Sequence, residues 1–297
     1  MSIITILGAS GKVGSQTVNN LLDKGHSLRL IARHTDKLQQ FANKEGVEVH
    51  GGDSFDSEFL SRVMKGCDVA FLMLPTDITA EDTAAYQDKM GVAQIEAIKK
   101  SGVKKVLYLS SVGGHTEEHT GIVAGLARQE QRLKNLENVG VLILRPSWFM
   151  ENLFSNIAVI KNAGVNGSTI AADRTFPIIA SADIARVAAD KLNNLSWTGK
   201  TVLPLLGPKD YSMNEVTKVI GAAIDMPDLK YVQFPKEQAK QGMVQWGISE
   251  SVADAFIEMT EGINLGYFNT EPRNDASTTP TTIEEFSKTF AYIYNLN

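Results

Sequence analysis

The chain has 297 residues, of which 43% are hydrophobic and 21% charged, with a formal net charge of −5. Such a composition can bury a sizeable core and allows one large domain or a nucleotide-binding domain with a smaller lobe, while the acidic balance argues against direct nucleic-acid binding. The single cysteine, Cys67, excludes an internal disulfide and a multi-cysteine metal site, no apolar run reaches the roughly 20 residues of a membrane span, and the lack of a leader pattern before the first strand makes a cytoplasmic protein the expectation.

Ile3, Ile4, Ile6 and Leu7 form a short β-branched run of the kind buried on both faces of a sheet. Gly8, Gly11 and Gly14 follow with G-x-x-G-x-x-G spacing, and Val18, Leu21 and Leu22 then recur at helical spacing before Gly25 as a stop. Strand, glycine turn and helix are the setting of a dinucleotide-binding turn. The first glycine permits the tight turn, the second admits a pyrophosphate against the backbone, and the third lets the helix pack on the strand, its N-terminal N–H groups facing the phosphates. Gly8, Ser10, Gly11, Lys12, Val13 and Gly14 are therefore candidate cofactor contacts; the alternative is a plain βα turn.

His26 to Ala32 reads as the second strand, with Arg33 at its end. An acidic residue there would favour NAD through the ribose 2′-OH, whereas an arginine suits the 2′-phosphate of NADP. Lys12 and Lys37 could add charge to the same pocket, and Asp36 falls in the first turn of the next helix. Val47 to Gly51 is the third strand. Asp53 and Ser54 at its end are candidate adenine-side contacts, with helix capping the other reading of Asp53. Val69 to Leu74 is the fourth strand and Pro75 ends it, so Leu74 and Pro75 border the same cleft. A long helix from about Glu81 to Lys100 stops at Gly102, and Val103 to Ser110 is the fifth strand. Strands alternating with helices predict an α/β, Rossmann-type doubly wound parallel sheet with ligands at the strands' carboxyl ends, where Gly8, Arg33, Asp53, Pro75 and Ser110 fall.

The loop after Ser111 reads VGGHTEEHTG. His115, Glu118 and His119 match the H-x-x-E-H spacing of a zinc-peptidase class, but glycines bracket the string in a loop, where both imidazoles cannot share a helix face, so no metal is expected. His115 either borders the nicotinamide end of the cleft or lies on a surface loop. Val141 to Leu144 is the sixth strand and runs into Pro146, a further cofactor-side candidate. Ser181 to Asp183 opens a helix with Asp183 as its cap. Thr201 to Leu206 reads as a strand, Met213 to Ile224 as an amphipathic helix and Lys230 to Phe234 as a strand. Ser249 to Gly262 is a helix with Val252, Phe256 and Met259 at helical spacing, followed by Ile263, Leu265, Tyr267 and Phe268, and this apolar helix and loop either cover the nicotinamide or are ordinary core. Residues 269–282 form a loop before a final helix. The expected division is a NAD(P)-binding Rossmann domain over 1–150, with part of 165–205 returning to it, and a smaller C-terminal substrate lobe over 206–297.

GASGKVG, the strand end YLSS, LRPSWFMEN, FPIIASADIARVAA and LGPKDYSMNEVTKVIGAAI, in this order and spacing, resemble the NmrA-like branch of the short-chain dehydrogenase/reductase superfamily over nearly the whole chain. The resemblance implies an atypical fold of that superfamily binding NADP(H), and it puts Trp148, Phe149 and Asn152 at the substrate end, Met150 beside them, with lobe packing the other reading of the aromatics. Similar proteins include NADPH-dependent quinone reductases and regulators that bind the dinucleotide without turnover. Most of the superfamily donates a proton from a Tyr paired with a Lys four residues on. This chain has no Tyr between Tyr108 and Tyr211 and no Tyr with a Lys at the fourth position after it. Ser111 and His115 are the remaining catalytic candidates, and Arg128 and Lys134, on the helix that would carry the Lys, read as an exposed face. Three functions follow: an NADPH-dependent reductase of flat acceptors such as quinones, whose oxygens can take protons from water; an NADP(H) sensor acting through a protein partner; and a sugar-nucleotide epimerase, which the missing Tyr and Lys disfavour.

Overall fold

The computed structural model describes residues 1–296. Seven parallel strands form the central sheet: β1 (Ile3–Leu7), β2 (Ser27–Ala32), β3 (Val47–Gly51), β4 (Val69–Met73), β5 (Lys105–Leu109), β6 (Gly140–Pro146) and β7 (Lys200–Leu205). Their order across the sheet is β7-β6-β5-β4-β1-β2-β3, so the chain reverses its direction of travel between β1 and β4 and opens a crevice at their carboxyl ends. Ile4 pairs with Leu28 on one side and Val69 on the other. β7 lies beside β6, with Lys200 opposite Val141.

Period-two alternation along the strands feeds two separate cores. Ile4, Ile6, Leu28 and Leu30 face α1 (Lys12–Leu21) and the helix Ser181–Asn194, together with Val18, Leu21, Ile184 and Leu192. Leu7, Ile31, Leu72 and Tyr108 face the opposite way, onto Leu60, Met64, Met90 and Leu133 of α2 (Ser57–Met64), α3 (Thr83–Ser101) and α4 (Ala124–Lys134). Burying each such aliphatic side chain contributes about 1.5–3 kcal/mol. Residues on both faces are needed because helices cover both, which is why these strands read as continuous apolar runs.

Helix ends follow local chemistry. Asp56 accepts from the Glu58 and Phe59 amides to cap α2, Asp82 caps α3 through the Ala85 amide, and Gly102 ends α3 in the left-handed region beyond Lys99 and Lys100. α1 ends at Leu21, short of Gly25. The helix Ser181–Asn194, α5, is not capped by Asp183. Glu151 accepts from the Ser181 amide (2.9 Å) and hydroxyl (2.6 Å), while the buried Asp183 accepts from the Thr281 amide and hydroxyl and from Arg186. Asp183 thus anchors the segment before the last helix.

A third core joins the C-terminal elements α6 (Met213–Ala223), entered through a Ser212/Glu215 capping box, α8 (Glu250–Leu265) and α9 (Ile283–Leu296), while α7 (Lys236–Gln245) lies outside it. Met150, Phe176, Ile220 and Phe290 lie at its centre. The short strand Trp148–Phe149 pairs with Phe176–Ile179, and Val165–Ser168 pairs with Lys230–Gln233. α7 has no buried residue, and so no apolar stripe for a sequence reading to find.

Candidate functional site

The glycine turn lies at the carboxyl end of β1, beside the point where the strand order reverses. Gly8 has φ +77° and sits against the Met73 side chain; its carbonyl accepts from the Gly11 amide at 2.9 Å. A Cβ on Gly14 would lie 2.1 Å from the Gly8 oxygen, so the helix reaches this close to the strand only as glycine. At Gly11 the nearest such neighbour is the same oxygen at 3.3 Å, and Gly11 is exposed. Gly11 caps α1 without a side-chain hydrogen bond, which leaves the first-turn amides facing outward. The turn is therefore a cradle that a Cβ would fill, and its residues fit a dinucleotide pyrophosphate. Ser10 and Lys12 are exposed on its rim and Val13 is buried beneath it. The Lys12 ammonium stands 5.8 Å from the centroid of the Phe154 ring, among the C-terminal elements, rather than serving the pocket at the end of β2.

Arg33 leaves β2 exposed, with no hydrogen bond or ion pair among the described residues, and Lys37 is exposed on the turn Thr35–Leu38. Burial raises the pKa of the Tyr86 phenol, the Arg33 charge works against that rise, and the Asp77 and Asp53 charges add to it. That hydroxyl is buried and has no hydrogen-bond partner among the described residues, a second feature suited to a polar ligand in this half of the cleft. Asp53 takes the Phe55 amide in a local turn (3.0 Å) and does not cap α2, which Asp56 does. Ser54 and Leu74 are buried beside it and Pro75 is half-buried.

At the ends of β5 and β6 a buried ionic network takes up groups that had other readings. Glu130 of α4 is 0% exposed and Arg145 6%. Arg145 donates to both Glu130 oxygens (2.9 and 2.6 Å) and to Glu271 (2.5 Å); Ser110 and Lys134 donate to Glu130 at 2.7 and 3.1 Å. Burial opposes the Arg145 charge, but Glu130 and then Glu271 hold its pKa above the ordinary value. The Ser110 hydroxyl is thus committed to Glu130. Nor are Arg128 and Lys134 a free, exposed face. Both are half-buried; Arg128 pairs with Asp88 and Glu117, and Arg132 joins it on Asp88.

Beyond Ser110 a cavity of about 90 Å³ opens between the sheet and the C-terminal elements. Ser111, Ser147, Trp148, Phe149, Asn152 and Phe176 line it from one side, and Met259, Ile263 and Phe268 of α8 and the turn after it close it from the other. Trp148 meets Phe176 edge-on at 6.0 Å. Met150 is fully buried core, not cavity wall. His115 is exposed and does not line the cavity. Its loop serves instead to dock α8. A Cβ on Gly121 would fall 1.9 Å from the Ala255 oxygen, one on Gly262 1.9 Å from the His119 oxygen, and the His119 ring packs on Tyr267 at 4.8 Å. Among the described residues no group of three His, Cys, Asp or Glu could hold a metal ion, and no helix is long and apolar enough to cross a membrane. Sequence reasoning missed Ser147, Phe176 and the Glu130–Arg145–Glu271 network. The adjacent sequence letters RPS hint only at Ser147, and pairing of residues 15 and 126 apart is silent in sequence.

A model of an NAD(P)H-binding family matches residues 8–195. The chain is 28% identical to the NAD(P)H azoreductase of Xenophilus azovorans over 86% of each protein. The NADPH-dependent quinone oxidoreductase of Escherichia coli, solved with NADPH, superposes with a TM-score of 0.82 at 20% identity, covering 97% of this chain and 99% of that one. The negative transcriptional regulator NmrA, solved with NAD, superposes with a TM-score of 0.70 at 13% identity over 98% and 96%. These solved structures share the fold of the atypical, NmrA-like short-chain dehydrogenase/reductases.

Proposed function

This chain belongs to the NAD(P)H-binding family, and from that premise we propose that it is an NADPH-dependent oxidoreductase passing hydride to a small, flat acceptor such as a quinone. The observation that carries the reading is the cavity at the carboxyl ends of β5 and β6, walled by Trp148, Phe149 and Phe176 and closed by Met259, Ile263 and Phe268. Aromatic walls suit a planar ring laid against a nicotinamide. A relative that reduces azo compounds, by its name, fits the same class of flat acceptor.

Bound NADPH supplies the hydride. The chain's residues hold and orient the reactants. The first-turn amides of α1 receive the pyrophosphate. Arg33, with Lys37 near it, pairs with the 2′-phosphate and favours NADPH over NADH. Asp53, Ser54, Leu74 and Pro75 border the adenosine half, and Pro146 the nicotinamide half. The aromatic walls exclude water from the reacting faces and fix the acceptor's plane. No Tyr–Lys acid stands at the site, and Lys134 is held on Glu130. A quinone tolerates this because its reduced oxygens delocalise charge until water protonates them, whereas a simple ketone needs an acid as its alkoxide forms. The test is steady-state NADPH oxidation with matched quinones, azo compounds and ketones: quinones or azo compounds should be turned over and ketones left. Tight NADPH binding with no turnover of any acceptor would refute the reductase and leave an NADP(H) sensor.

A further inference from the structure

One polar atom of the cavity has no role in the chemistry derived above. Ser147 is 2% exposed, lines the cavity, and its hydroxyl is buried without a hydrogen-bond partner among the described residues. Its backbone amide is already satisfied, donating to the Leu205 oxygen at 2.8 Å. A buried hydroxyl left unpaired is a standing cost to the fold that alanine would remove. Pro146 places Ser147 one residue from Ser111 across its own carbonyl, which accepts the Val112 amide at 2.9 Å and the Ser111 hydroxyl only at 3.5 Å. Ser111 is thus weakly held as well. The remaining lining is apolar except for Asn152, exposed at the mouth, and none of the lining residues is charged.

We propose that the Ser147 hydroxyl is the inner hydrogen-bond donor to a carbonyl oxygen of the acceptor, and that the cavity selects uncharged, planar dicarbonyl rings of the para-quinone class. The proposal rests on the reading of this cavity as the acceptor site. One oxygen points inward to Ser147, with Ser111 beside it, and the opposite oxygen lies at the mouth near Asn152. Anionic rings, such as sulfonated quinones or sulfonated azo dyes, are disfavoured because their charge would be desolvated against walls that offer no cation. As the hydride arrives, negative charge builds on the inner oxygen, so the Ser147 contact strengthens along the reaction. The cavity is smaller than the about 150 Å³ that holds benzene in an engineered core, so a wall must give when a ring enters; Met259 is its flexible member.

The experiment compares wild type with Ser147→Ala and Trp148→Ala, using 1,4-benzoquinone, a sulfonated naphthoquinone and an uncharged azo dye without carbonyl groups. Ser147→Ala is expected to lower the ratio of kcat/KM for benzoquinone to that for the azo dye about tenfold, in line with loss of one hydrogen bond to developing charge. The melting temperature of its cofactor-free form should be equal to or above that of wild type, whereas a serine with a structural role would lower it. Wild type should prefer benzoquinone over the sulfonated quinone. An unchanged ratio in Ser147→Ala, with quinone affinity lost in Trp148→Ala, overturns the role of Ser147 and keeps the site. Quinone affinity unchanged in Trp148→Ala shows that the acceptor binds elsewhere and overturns both.

Discussion

Arg33→Ala isolates what the cleft contributes to the choice of cofactor. The side chain is exposed and makes no ion pair within the described chain, so its removal breaks no internal contact and should leave the fold intact. What it changes is the charge around Tyr86, where Arg33 stands with Asp77 and Asp53. Asp77 is held ionised below its ordinary pKa, first by the Thr79 hydroxyl and amide and only weakly by Arg33, so it keeps its charge in the variant. A 2′-phosphate would then lose a charge-assisted partner and face two carboxylates, with Lys37 the cation remaining nearby. A hydrogen bond to a charged group contributes about 1.5–3 kcal/mol, toward the lower end at an exposed site. The affinity for NADPH should therefore fall about tenfold to a hundredfold, while NADH, with a free 2′-hydroxyl, changes by less than about threefold. Titration of both cofactors against both proteins measures this, and raising the salt should narrow the wild-type preference because an exposed pair is screened. Equal losses for NADPH and NADH, or a wild type with no preference, would show that Arg33 does not read the phosphate.

The two inner glycines should separate binding from folding. Gly14→Ala must push backbone apart and should destabilise by about 1–3 kcal/mol in thermal unfolding, whereas Gly11→Val should stay folded and lose cofactor affinity in titration. Glu130→Gln strips the charge from the carboxylate that holds Arg145, Lys134 and Ser110; the expected cost is about 3 kcal/mol, the low end for a broken buried pair because Glu271 still holds Arg145. A denaturant midpoint close to wild type would refute it. Asp88 is held below its ordinary pKa of 3.8: burial opposes its charge, but Arg128 and Arg132 outweigh burial. Since the folded pKa lies below the unfolded one, its contribution is present above about pH 4 and is lost as pH falls through the folded value. The stability advantage of wild type over Asp88→Asn should thus shrink on acidification, and an advantage that grew toward low pH would contradict the pairing.

The strand, glycine turn and helix that open the chain were legible because local rules build them. An apolar run followed at once by three spaced glycines can make little other than a strand–turn–helix, and the place of Arg33 at a strand end follows from the same alternation. The strand ends of β2, β3 and β4 and the helix stop at Gly102 were read within a residue or two, since alternation, proline and left-handed glycine act over a few residues. Trp148, Phe149 and Asn152 were placed at the acceptor end only through resemblance to a family, not from their own pattern.

What the linear sequence determined, then, is what depends on neighbours along the chain: the glycine turn, the parallel sheet and the arginine at the end of β2. Only the tertiary structure decided which groups are spent and which remain to act. Ser110 and Lys134 are taken by Glu130, whose other partner Arg145 reaches Glu271 across 126 positions. Asp183 leaves the cap to Glu151 and holds Thr281 instead, and the H-x-x-E-H loop becomes the glycine-to-backbone seat of α8. Ser147, unremarkable among the serines of the sequence, becomes the cavity's unpaired hydroxyl. Hydrogen-bond satisfaction is a property of the whole buried environment, so no local pattern encodes it, and a residue's freedom to act appears only when every competing partner has been brought into place.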